Sequence, residues 1–71
     1  MTNPTYPMNV FWSDEDAAWI ADAPDLEFCS AVGDTPHQAV AELEVAIKVW
    51  VDAAASSGRT VPPPSRRAVR A

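Results

Sequence analysis

The segment GDTPHQAVAELEVAIKVW, Gly33 to Trp50, constrains the chain more than any other, because it marks where a long helix begins and which faces it offers. Thr35 suits the N-cap. Pro36 suits the first helical position, where its missing N–H costs nothing, and Gln38 completes a T-x-x-Q capping box. Asp34 adds negative charge near the positive end of the helix dipole. Gly58 supplies the stop, so the helix is expected to run from about Pro36 to Ser57. At about 100° per residue, Val40, Leu43, Ile47, Trp50, Val51 and Ala54 form one broad stripe suited to covering a sheet. Val45 and Val49 point elsewhere, among Ala41, Ala46 and Ala53. Only Glu42, Glu44, Lys48 and Asp52 interrupt that second surface, and Glu44 and Lys48 are spaced for an i,i+4 ion pair. Two readings follow: a second contact, to another copy or a partner, or the scattered valines of an ordinary surface.

Upstream, three segments carry strand character. YPMNVFWS, Tyr6 to Ser13, holds β-formers and a bulky even-numbered set, Met8, Val10 and Trp12. Asp14 to Asp16 form a charged turn. AAWIADA, Ala17 to Ala23, is a second strand ended by Pro24, and LEFCSAV, Leu26 to Val32, a third. Gly33 then frees the chain to turn. Short links between the strands imply an antiparallel meander. The expected fold is therefore α+β and two-layered. A three- or four-stranded, mainly antiparallel sheet carries one long helix on one face, in the order β-β-β-α, and Arg59 to Val61 are available as a short fourth strand. Residues 1–61 form a single domain in this reading. Residues 62–71, rich in proline and arginine, form a C-terminal tail that the prolines keep extended.

With 71 residues, a domain of this kind is marginal alone and commonly needs help from disulfides, metals or association. Cys29 is the only cysteine and His37 the only histidine, so neither an internal disulfide nor a tetrahedral zinc site can form. No metal and no cofactor are expected. The lone thiol fits a reducing compartment, no apolar run is long enough for a membrane span, and the N-terminus lacks a secretory pattern. A cytoplasmic protein is expected.

Charge is divided unevenly. The net value is −5, yet residues 1–57 hold all ten acidic side chains against Lys48 alone, while the remainder holds four arginines and no acid. An acidic body disfavours direct nucleic-acid binding and favours a basic partner. Asp14, Glu15, Asp16, Asp22 and Asp25 are the candidate partner-binding surface. The same carboxylates could suggest a metal-dependent nuclease, but a solvated hairpin turn explains the first three. Cys29 with His37 could suggest a thiol nucleophile and its base. Cys29, however, sits in an apolar strand, where thiols are inert, and His37 lies in a first helical turn, where the dipole disfavours its charged form. With Gly33 and Gly58 the only glycines, there is no phosphate-binding loop. Catalysis is not expected.

The order Y…DED…WIADAPDL…C…GDTPHQA…VPPP resembles the HicB-like antitoxin family over nearly everything from Tyr6 to Ser65. The shared pattern falls on Pro24, Asp25, Leu26 and Cys29; on Gly33, Asp34, Thr35, Gln38 and Ala39; and on Val61, Pro62 and Pro64. Phe28 stands where the family has glycine, and Gln38 where it has glutamate. The resemblance implies a partial RNase H-like β-β-β-α-β fold without nuclease activity. It also implies a binding protein whose partner is a small, basic, RNA-cleaving toxin, neutralised by covering its active or RNA-binding surface. Many such antitoxins carry a C-terminal DNA-binding domain. The sequence after the helix is too short for one, so operator binding is not carried over. Two other readings remain: an acidic mimic of nucleic acid that blocks a nuclease complex, such as a phage-encoded inhibitor, and a stand-alone homo-oligomeric domain. A homo-oligomer is expected in any case, with Val45, Val49, Phe11 and Trp19 as its interface. One helix cannot cover both faces of a sheet that carries so many aromatic residues.

Overall fold

A computed structural model describes residues 6–64. Strands β1 (Asn9–Ser13), β2 (Ala18–Asp22) and β3 (Ser30–Gly33) form one antiparallel sheet in the order β1-β2-β3, followed by helix α1 (Pro36–Ser56). This is the expected β-β-β-α architecture. The optional fourth strand does not form among the described residues: Arg59 to Pro64 have no regular structure. They still return to the sheet, because the Tyr6 hydroxyl donates to the Pro62 carbonyl at 2.5 Å.

The helix begins where its sequence says. The Gln38 N–H donates to Thr35 Oγ1 at 3.0 Å. Gln38 Oε1 accepts from the Asp34 N–H at 2.6 Å, so the capping box closes one residue earlier than its usual form, in which the N-cap's own N–H is bound. At the far end Gly58 adopts φ 76°, and the Gly58 and Arg59 N–H groups donate to Ala55 O and Ala54 O. These bonds satisfy carbonyls that the last turn would leave open. Lys48 pairs with Asp52 at 3.2 Å rather than with Glu44.

The strands are shorter than expected, most of all β3. Pro24 to Phe28 close a compact loop instead, in which Leu26 N–H donates to Ala23 O and Cys29 N–H to Leu26 O. That loop folds Leu26 into the core. Tyr6, Ala21, Ala23, Leu26, Cys29, Ala39, Leu43 and Ile47 form the buried cluster, with Trp19, Ala31, Ala46, Trp50 and Val51 packed around it. Leu26 and Leu43 are its largest fully buried side chains, each contributing roughly 1.5–3 kcal/mol before entropy. Gly33 turns out to be a spacing residue within β3 rather than a turn residue. A Cβ there would lie 2.5 Å from the Ala39 nitrogen, so only glycine lets the helix approach so closely.

Register fixes the two faces of the sheet. Trp12 pairs with Trp19, which pairs with Gly33; Val10 pairs with Ala21, which pairs with Ala31. These residues face the helix. Phe11, Ile20 and Val32 form a row across the opposite, bare face, beside a polar row of Asn9, Asp22 and Ser30. The helix lies over β2 and β3 and leaves much of β1 uncovered, so Val10 and Trp12 stay 40% and 47% exposed on the face that should be inside.

Candidate functional site

The acidic candidates divide between the two ends of the strands. Asp14, Glu15 and Asp16 form the exposed β1–β2 turn, which is tied down locally. Trp12 Nε1 donates to Asp14 Oδ1 at 2.7 Å, Ser13 Oγ to Asp16 Oδ2 at 3.0 Å, and Asp16 N–H back to Ser13 Oγ at 3.2 Å. Ala17 completes the turn at φ 51°. The end of β3, with exposed Asp34, and the first turns of α1, with exposed Glu42, lie at this same end; Glu42, Asp34 and Gln38 line one concavity with Ala18. One end of the molecule is therefore acidic over the turn and the helix entry together.

Asp22 and Asp25 lie at the other end. Asp22 sits on the bare face, and its Oδ1 is buried without a hydrogen-bond partner among the described residues. Asp25 belongs to the Pro24–Phe28 loop. Trp50 Nε1 donates to Glu27 O at 2.9 Å, and the Arg59 guanidinium lies 5.4 Å from the Trp50 ring centroid, so this end carries a cation against an aromatic face. The expected five-residue acidic surface is thus two surfaces about one strand length apart, roughly 17 Å for five residues. Among the described residues, no three His, Cys, Asp or Glu side chains are placed to hold a metal ion. Cys29 and His37 lie beyond opposite ends of β3, and burial pushes the Cys29 thiol above its ordinary range.

The expected self-association residues also occupy separate surfaces. Val45 and Val49, each 61% exposed, lie on the helix side away from the sheet. Phe11, 46% exposed, lies on the bare sheet face. Trp19 lies between the layers, edge-on to Trp12 with ring centroids 5.7 Å apart. No single contact between two copies can cover all four.

Of two further features, the sequence flagged the first and left the second unread. Phe28 holds φ 59° and is 96% exposed, an aromatic side chain in a conformation that favours glycine. The glycine at this position in the resembling family was the available signal. The second is an apolar groove of about 440 Å³ beside β1, lined by Val10, Pro36, His37, Val40, Ala41 and Glu44. Alternation identifies neither, because the groove arises from where the helix lies across the sheet.

Comparison with known proteins gives one family. Residues 6–69 match the family described as HicB_like antitoxin of bacterial toxin-antitoxin system. No curated protein and no solved structure matches the chain. No helix among the described residues is long and apolar enough to cross a membrane.

Proposed function

This chain belongs to the HicB-like antitoxin family of bacterial toxin–antitoxin systems, and from that premise we propose that it neutralises a small, basic, RNA-cleaving toxin by covering its active or RNA-binding surface. The observation that carries the reading is the charge of the folded body. All ten acidic side chains lie among the described residues, with Lys48 and Arg59 the only basic ones there. Lys48 spends its charge on Asp52, and Arg59 rests on Trp50. What remains is a field that attracts a cationic protein and repels RNA. The contact we assign first is the acidic end, Asp14, Glu15 and Asp16 with Asp34 and Glu42, because its carboxylates stand on a hydrogen-bonded turn and a capped helix entry. Asp22 and Asp25 would serve a partner that also reaches the opposite end. The protein acts by binding, without catalysis or cofactor, in the cytoplasm where such a toxin would act.

The test is co-expression with a short basic protein encoded beside this chain, scored by growth and by RNA integrity. Wild type should restore both. Glu15→Lys with Glu42→Lys, which leaves the turn hydrogen bonds in place, should weaken protection by tenfold or more, equivalent to about 1.4 kcal/mol of binding. Full protection by that variant would remove the acidic end from the contact. Protection against no basic neighbour, with capture of a nuclease complex instead, would favour the nucleic-acid-mimic reading.

A further inference from the structure

We propose that loop 24–28 and the end of β2 form a receptor for one arginine side chain of a partner protein. Asp22 is the carboxylate that pairs with the guanidinium, and Phe28 is the ring that lies against it. The identity of such a partner rests on the antitoxin reading; the receptor itself rests on the geometry of the loop.

A hollow of about 290 Å³ opens here, with Asp22, Leu26, Glu27, Phe28, Cys29 and Ser30 in its wall. Asp22 pairs with Ser30 across the strands, and one position further on the Ala23 N–H donates to Cys29 O at 3.0 Å. Hydrogen-bonded and open pairs alternate along an antiparallel ladder, so Asp22 and Ser30 form an open pair, the kind whose side chains stand closest. Even so, Asp22 Oδ1 is buried and accepts from no donor among the described residues. A carboxylate oxygen taken out of water without a donor is unfavourable, and a donor that enters the hollow relieves it.

Phe28 is the second, independent observation. It holds φ 59° and is 96% exposed, so the isolated chain gains nothing from its ring and would fold more easily with glycine. A side chain kept at such a disadvantage is accounted for by a group that covers it in a complex. An aromatic face beside a carboxylate suits a cation, and a planar one best. A guanidinium stacks on a ring while it offers two parallel N–H groups to a carboxylate.

The basic groups of the described residues are engaged elsewhere: Lys48 with Asp52, and Arg59 over Trp50. A metal ion is the poorer occupant, because no three His, Cys, Asp or Glu side chains among the described residues are placed to hold one. The wall is also braced. Trp50 Nε1 donates to Glu27 O, Leu26 N–H to Ala23 O and Cys29 N–H to Leu26 O, so the hollow is presented on backbone held from the helix side and from within the loop.

The test is a nuclear magnetic resonance titration of the isotope-labelled full chain with the capped peptide Gly-Arg-Gly, beside its lysine and citrulline counterparts. The arginine peptide should give saturable shifts centred on Asp22, Ala23 and Glu27 to Ser30. The lysine peptide should bind more weakly, and citrulline, which keeps the shape and loses the charge, should not bind. Asp22→Asn should weaken binding about tenfold or more. Phe28→Gly should weaken it about threefold or more while the fold is retained, so that loss of binding is separated from loss of structure. In co-expression with the basic neighbour, both variants should protect less well than wild type. Shifts spread over the acidic turn instead, equal binding of citrulline, or undiminished binding by Phe28→Gly overturns the proposal. A wild type that responds only after Arg66, Arg67 and Arg70 are replaced by Gln overturns it in favour of the chain's own arginines. The two readings fail separately: absence of a neutralised neighbour leaves the peptide result to decide the receptor, and a silent hollow leaves neutralisation through the acidic end standing.

Discussion

Phe28 is held at φ 59° with its ring in water, so its backbone conformation and its exposure are both unfavourable in the isolated chain. The left-handed region costs a non-glycine residue roughly 1–2 kcal/mol, while a glycine gives part of this back through its freer unfolded state. Phe28→Gly should therefore raise stability by about 0.5–1 kcal/mol, read as a higher denaturant midpoint at unchanged slope. A lower midpoint would mean that the ring packs in a way its exposure denies. Cys29 gives a prediction in pH. Burial raises its thiol pKa, so the unfolded chain ionises first. The thiol's contribution is complete below the ordinary thiol range and is lost as pH rises through it. Stability should fall as pH rises through and above the ordinary thiol range, and Cys29→Ala should flatten that part of the profile, although it lowers stability at neutral pH by leaving a small cavity. An equally steep decline in the variant would assign it to other groups. Gly33 shows how a residue can be read correctly as necessary and wrongly as to cause: its spacing role depends on Ala39, which no local pattern connects to it.

At the scale of elements, the helix was legible almost to the residue and the strands were not, for a physical reason. Helix ends are written in side chains within three or four positions of the end, here Thr35, Pro36, Gln38 and Gly58, and the bonds they form are local. Thr35→Ala should cost about 1 kcal/mol by leaving the Gln38 N–H without its acceptor, measured by chemical denaturation. An unchanged midpoint would show that water or the Gln38–Asp34 bond suffices. Strand ends depend on pairing partners distant in sequence. Leu26, Phe28 and Cys29 have strand-like composition, yet local hydrogen bonds at Ala23, Leu26 and Cys29 win and draw Leu26 inward. The alternation in β1 correctly separated Met8, Val10 and Trp12 from Phe11. It could not say that the helix would lie over β2 and β3, leaving even the inward set half exposed.

For the whole molecule, the excess of carboxylates was legible from composition, whereas their division between two ends was not, since it follows from the turn and the loop falling at opposite ends of three short strands. That division also bears on catalysis. Asp14 and Asp22 belong to different ends, so purified protein incubated with RNA or DNA and Mg²⁺ or Mn²⁺ should cleave neither. Cleavage abolished by Asp14→Ala or Asp22→Ala would overturn the binding-protein reading. The hydroxyl of Tyr6 on the carbonyl of Pro62 spans 56 positions and ties the beginning of the described chain to its end. In connectivity the molecule is close to a ring. The residues beyond that clasp are Met1 to Thr5 and Pro63 to Ala71, and the two ends that it joins lie close together, so the order of the elements along the gene is a convention the fold barely needs. A permuted gene that joins those segments and opens at Glu15 would encode the same sheet and helix with new ends placed in the acidic turn. In such a protein, whether the turn works as a closed hairpin or merely as a source of charge becomes a question separate from whether the chain folds.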